Sequence, residues 1–232
     1  MKNLILLLTL VFSIIGCKKE EEEDKLIVYS LSDKVAGYDM SQLSIETSKW
    51  IFTNPLDNGP LSDADGSFHK KQPLPDVTIL APNLGETQER SLIINSKNPI
   101  FIPAMGVTGW YYANDACNPD WNPKAGQSVL DFLQKELSGV LEGATNVKVV
   151  LNGQPLVPDM KARKTTTALF TMKVDQSWNS PDCNYTGKDA SAYAEDYTIA
   201  LKLPKGNHIL KVAGEFKDIN LVQDITWKLT VQ

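Results

Sequence analysis

The sequence predicts a mainly β protein, an antiparallel β-sandwich with two α-helical insertions. Three observations carry that expectation. Polar and apolar residues alternate along "DYTIALKLPKGNHILKVAGEF" from Asp196 and along "DITWKLTVQ" from Asp224. Short β-branched runs bounded by Pro, Gly and Asn recur upstream of them. Two stretches place apolar residues at helical spacing.

Taken in chain order, Asp39 to Thr53 reads as a helix. Leu43, Thr47, Trp50 and Ile51 fall near one face, with Ser41 as the N-cap. The stretch "NPLDNGPLSDADG" (54–66) is dense in turn formers and predicts an irregular loop. "DVTIL" from Asp76, "RSLII" from Arg90 and "PIFIP" from Pro99 read as strands. Lys124 to Leu141 predicts the second helix, with Val129, Leu130, Phe132, Leu133, Leu137 and Val140 on its apolar face. "NVKVVLNG" from Asn146 alternates and ends in Asn-Gly, a hairpin signal. "TALFTMKV" from Thr167 is a further strand. Pro204-Lys205-Gly206 is a tight turn between the two long alternating segments, and the strand from Asp224 closes the chain.

Met1-Lys2-Asn3 is a short basic segment, followed by an apolar run from Leu4 to Ile15. The run falls short of the roughly 20 apolar residues that a membrane-spanning helix needs, and it fits the core of a signal peptide. Ile14-Ile15-Gly16-Cys17 resembles the lipobox of bacterial lipoproteins. The resemblance implies cleavage before Cys17 and its acylation, palmitate included. Several acyl chains on one residue would hold the protein to the bilayer where a single chain would not. Residues 1–16 are therefore expected to be a signal peptide and residues 17–24 a lipid-anchored tether. Residues 25–232 are expected to form one domain, since no internal repeat or long linker interrupts them. The tether residues Lys18 to Asp24 carry too little apolar surface to fold. This basic-then-acidic run resembles the surface-export signal of lipoproteins in one Gram-negative lineage. That implies an outer-membrane lipoprotein on the cell surface, with the periplasmic face as the alternative.

The 215 residues beyond Cys17 carry 22 basic and 28 acidic side chains, a net charge of −6, with no basic patch. That balance argues against a nucleic-acid partner. Cys117 and Cys183 are the only cysteines past Cys17. An even pair in an oxidising compartment predicts a disulfide, and closing its loop contributes about 4 kcal/mol in the chain-entropy description.

Trp50, Asn54-Pro55-Leu56, Ile79-Leu80-Ala81, Arg90 and Phe101-Ile102-Pro103 come in the order seen in a set of uncharacterised secreted bacterial proteins. So do Leu203-Pro204-Lys205-Gly206-Asn207-His208 and Thr226-Trp227-Lys228-Leu229-Thr230-Val231. The chain resembles that family from about residue 45 to its end. The pattern places Arg90 on a hairpin, and Pro82 stands where it more often has Gly. The resemblance implies no activity.

Histidine is scarce: His69 is expected to be solvated, and His208 to brace the turn before it. No spacing suits a transition metal, and no cofactor is expected. The Asp57-Asn58 and Asp63-Ala64-Asp65-Gly66 segments carry calcium-type oxygen ligands without the full loop spacing, so Asx-turns are expected there.

The aromatic loops are more informative. "GWYYANDACNPDWNP" (109–123) and "SWNSPDCNYTG" (177–187) share Trp, Pro, Asp, Cys and Asn. If Cys117 and Cys183 pair, Trp110, Tyr111, Tyr112, Trp121, Trp178 and Tyr185 gather at one edge, with Asp115, Asp120 and Asp182 beside them. Flat ring faces next to carboxylates and amides suit sugar stacking, while the same rings could equally pack the loops around the crosslink. The expected function is a membrane-anchored lipoprotein binding a glycan or a protein partner, rather than an enzyme. The alternatives are a structural or assembly lipoprotein, and a hydrolase using two of the three aspartates.

Overall fold

The computed structural model describes residues 25–85 and 87–232. The expected signal peptide, Cys17 and the charged tether lie outside the described residues. The chain is mainly β, as the alternation predicts, and its strands form two sheets that share a core.

The first sheet is organised by its longest strand, β9 (Ala190–Lys202). One edge of β9 pairs with β4 (Ile100–Tyr111), which in turn pairs with β2 (Thr78–Ile79). Three short strands share the other edge: β8 (Phe170–Met172) opposite Ala190–Ala192, β7 (Lys164–Thr166) opposite Glu195–Tyr197, and β1 (Ile27–Val28) opposite Leu201–Lys202. The second sheet has the order β3 (Thr87–Ile94), β11 (Leu221–Val231), β10 (Gly206–Phe216), β5 (Ala144–Leu151) and β6 (Gln154–Pro155). Asn152 and Gly153, both with positive φ, make the tight β5–β6 turn that Asn-Gly predicts.

The expected antiparallel character holds only in part. β2 pairs with β4, and β3 with β11, in parallel. Side-chain alternation reports which face a residue takes, not the direction of a distant partner. Arg90 lies on β3, parallel to β11, and not on the hairpin that the family pattern implies. The turn at Pro204-Lys205 carries the chain from one sheet to the other, because β9 and β10 do not pair. His208 braces that turn, with Nε2 2.9 Å from Pro204 O and Nδ1 3.2 Å from Asn152 Nδ2.

Between the sheets, Ile102, Ile199 and Leu201 meet Val149, Leu210, Val212, Trp227 and Leu229. Each such side chain contributes about 1.5–3 kcal/mol of burial. β9 is buried on both faces from Ala192 to Leu201, since helix α1 (Met40–Phe52) covers its outer side. Ala200 packs there with Leu43, Trp50 and Phe101.

The N-cap of α1 is Asp39, not Ser41. Asp39 Oδ1 accepts from Gln42 N at 2.8 Å and Gln42 Oε1 accepts from Asp39 N at 3.0 Å, a reciprocal capping box closed to Ser41 in the first turn. Helix α2 covers only Val129–Leu137, capped by Ser128. Gly126 (φ 81°) precedes it and Gly139 (φ 83°) follows it, which leaves Val140 exposed. Only Phe132 and Leu133 of its apolar face are fully buried, against Tyr193 of β9.

Arg90 is fully buried and pins the 54–66 loop to the second sheet. Its guanidinium donates to Ala81 O (3.0 Å), Leu61 O (3.4 Å) and Gln88 Oε1 (2.8 Å), and it lies 5.2 Å from the Trp227 ring. Burial pushes its pKa down to about 10 against the opposing charges of Asp63 and Asp65. Those two aspartates form Asx-turns. Asp63 accepts from Gly66 N (3.1 Å) and Phe68 N (2.9 Å), and Asp65 from Ser67 N (2.8 Å). His69 is half-buried in the short turn Ser67–Lys71 and so only partly solvated, and desolvation lowers its pKa.

Candidate functional site: the disulfide-linked aromatic cavity

Two irregular segments meet at one end of the first sheet: the loop leaving β4 after Tyr111 and the loop between β8 and β9. Neither has a strand ladder to satisfy its backbone, so side chains do that work. Asp175 caps the short turn Gln176–Trp178, accepting from Ser177 N at 3.0 Å. The Gln176 amide donates to Cys183 O at 2.5 Å and accepts from Tyr185 N at 2.9 Å, which curls the cysteine loop back on itself. The expected crosslink is present: Cys117 and Cys183 form a disulfide with Cα atoms 6.0 Å apart, across 66 positions. A contact from Asp175 N to Phe52 O (2.8 Å) ties the same loop to the end of α1.

Around the disulfide the rings are fixed one by one. Tyr112 and Tyr185 stack with centroids 4.1 Å apart at 10°. The Tyr185 hydroxyl donates to Asp115 Oδ2 at 2.6 Å, and Asp115 Oδ1 accepts from Cys117 N at 3.0 Å. One carboxylate therefore joins the stacked pair to the cysteine loop. Burial, then the hydrogen bond to Asp115 and its charge, push the Tyr185 hydroxyl up to about 12. Burial also raises Tyr112, with Asn179 opposing.

Each of the three indoles at this site spends its N–H inside the protein. Trp121 Nε1 donates to Trp110 O (2.8 Å), Trp178 Nε1 to Asn54 O (2.8 Å) and Trp110 Nε1 to Asn179 Oδ1 (3.3 Å). Phe52 wedges between two of them, 5.1 Å from Trp110 and 4.8 Å from Trp178. With edges locked and the three rings half-buried, the remaining ring surface faces an open cavity of about 590 Å³. Asn118, Asn179 and Ser180 add polar groups to its lining.

Of the expected residues, Trp110, Tyr112, Trp121, Trp178, Tyr185 and Asp115 line this cavity. Tyr111 does not, because the alternation of β4 turns it to the other face, where it meets Phe132 at 6.1 Å. Asp182 is exposed and lines a smaller adjoining cavity of about 240 Å³ with Asp115 and Lys188. Asp120 is exposed outside both linings. Among the described residues, Asp115 is the one carboxylate lining the main cavity. Sequence reasoning missed Phe52, Gln176 and Asn179. Asn179 sits inside the quoted aromatic loop, while Phe52 belongs to a helix that only tertiary packing brings here.

Comparison of the chain with protein-family models, with curated proteins and with solved structures finds no match in any of the three.

Proposed function

We propose that this chain is a lipid-anchored bacterial surface lipoprotein whose single β-sandwich domain presents a carbohydrate-binding cavity between two disulfide-linked loops. One observation carries the binding half of the reading. Three indole rings with locked edges surround an open cavity that also holds a carboxylate and two amides. Sugar C–H faces are electropositive and match the negative faces of such rings, while hydroxyls take the Asp and Asn groups. Concave sites that combine aromatic walls with a few placed polar groups are the usual form of small-ligand pockets. A lone carboxylate, itself engaged by Tyr185 and Cys117, favours recognition over hydrolysis, since glycoside cleavage needs a pair flanking the bond.

The anchoring half rests on Cys17 and the charge run after it, with the lipid bilayer as the partner. The resemblance to uncharacterised secreted bacterial proteins is part of the same proposal. Glycan-array binding by the wild type, lost in a Trp121→Ala/Trp178→Ala double variant that keeps its circular dichroism, is the expected result. Failure to bind any glycan would turn the reading toward a protein partner or a purely structural lipoprotein. Cys17→Ala should release the protein from membranes and remove its acyl mass. Protease shaving of intact cells should remove the wild type, and neutralising Glu20 to Asp24 should protect it.

A further inference from the structure

A second cavity of about 200 Å³ lies next to the aromatic one, sharing Thr108 and Trp178 as a common wall. Its chemistry is different. Ile51 of α1, Pro103, Met105 and Val107 of β4, and Phe216 and Leu221 beyond the first sheet supply an apolar lining. Leu84 and Ile219, 41% and 65% exposed, also belong to that lining and give it an apolar exposed side. The Arg90 bonds to Leu61 O and Pro82 O fix two further wall residues.

One carboxyl group enters this apolar space. Asp196 lies on the α1 side of β9, and only 7% of it is accessible. Its register partner on β4 is Gly106. A Cβ at that position would collide with Asp196 Oδ1, so the carboxyl occupies the space that the missing side chain leaves. Among the described residues no lysine, arginine or histidine pairs with it. The neighbouring Glu195 points to the opposite face, where Lys164 (2.8 Å) and the Tyr193 hydroxyl (2.8 Å) hold it. Thr47 lines the same cavity, is 3% exposed, and its hydroxyl has no hydrogen-bond partner among the described residues.

A buried carboxyl without a cation is costly in its charged form. Burial first, with some repulsion from Glu195 and against the Ser44 hydroxyl, pushes Asp196 up to about 7. An incoming ammonium would relieve that cost, while the hydroxyl of Thr47 is an open acceptor for a second N–H. The walls would take the apolar body of the same molecule. At about 30 Å³ for each water-sized group, the cavity holds about six or seven non-hydrogen atoms.

We propose that this second cavity binds a small primary amine with an apolar body, its ammonium group on Asp196 and Thr47 and its chain along Ile51, Met105 and Phe216. The proposal is independent of glycan binding, because the aromatic cavity contributes only its back wall.

Calorimetric titration of the full chain with n-hexylamine, n-hexanol and hexanoate tests it. Hexylamine should bind at least tenfold more tightly than hexanol, and hexanoate should not bind. Asp196→Asn should lower hexylamine affinity at least tenfold while leaving hexanol affinity unchanged. Thr47→Val should weaken hexylamine by a smaller factor. Affinity for hexylamine should rise between pH 5.5 and 7.5, as Asp196 ionises while the amine stays charged. Equal binding of amine and alcohol, retention of hexylamine by a folded Asp196→Asn variant, or no binding of hexylamine would each overturn the proposal.

Discussion

The two neighbouring cavities are built in opposite ways. The aromatic one stands on loops, and its shape depends on a disulfide, a glutamine clamp and three indole N–H bonds. The apolar one stands mainly on α1, β4 and β9, whose packing gives it most of its shape, with Arg90 holding the loop residues Leu61 and Pro82 against it. Loops can be held open to solvent only where specific bonds replace the missing ladder. Packed elements need no such bonds, but they leave any polar group inside them exposed to the cost of burial.

The largest effect expected from breaking this contrast comes from the crosslink. Replacing Cys117 and Cys183 by Ser should cost about 2–5 kcal/mol of unfolding free energy. It should also abolish glycan binding while hexylamine binding persists, as denaturant titration and the two binding assays would show. Phe52 lines the apolar cavity and packs behind Trp110 and Trp178, two wall rings of the aromatic one. Phe52→Ala should cost about 3 kcal/mol and weaken both ligands together. If one survives intact, the shared wall is not structurally shared.

The smallest effect sharpens the apolar side. Asp196 has a folded pKa of about 7, above its unfolded value. Its penalty is therefore absent below the unfolded pKa and grows as pH rises toward the folded one. Asp196→Asn removes the penalty. The variant should melt several degrees above wild type at pH 7.5, with the gap narrowing as pH falls below about 7 and closing near pH 4, the ordinary carboxyl value. A gap that stays constant with pH would mean that Asp196 is ionised and satisfied in the fold.

Much of the aromatic cavity was legible from local sequence. Two loops of matching composition, each with a cysteine, gave both the crosslink and five of the six rings that line or adjoin it, and only Tyr111 was misplaced by strand alternation. The apolar cavity was not legible at all. Asp196 reads as the polar start of a strand until Gly106 is set opposite it, and that pairing spans 90 positions. The direction of β3 against β11 was hidden for the same reason. Local pattern did locate α1, the Asn-Gly hairpin and the long strands β9, β10 and β11. It overran α2, because helical spacing continues across Gly126 and Gly139 while the backbone does not.

The patched edge of β9 has a mechanical side. Its last piece, β1, begins two residues into the described chain and consists only of Ile27 and Val28, both exposed. Any tension arriving from upstream enters the fold there, on a ladder of two residues. Just behind it, Tyr29 N donates to Ala200 O (2.9 Å), and Arg163 clasps Tyr29 O (2.8 Å) while also donating to Thr198 O (3.1 Å). A pull would thus peel β1 as a short leader and stop at the arginine clasp. Each residue released would add about 3.3–3.6 Å of extended chain ahead of the fold, and both cavities would keep their shape.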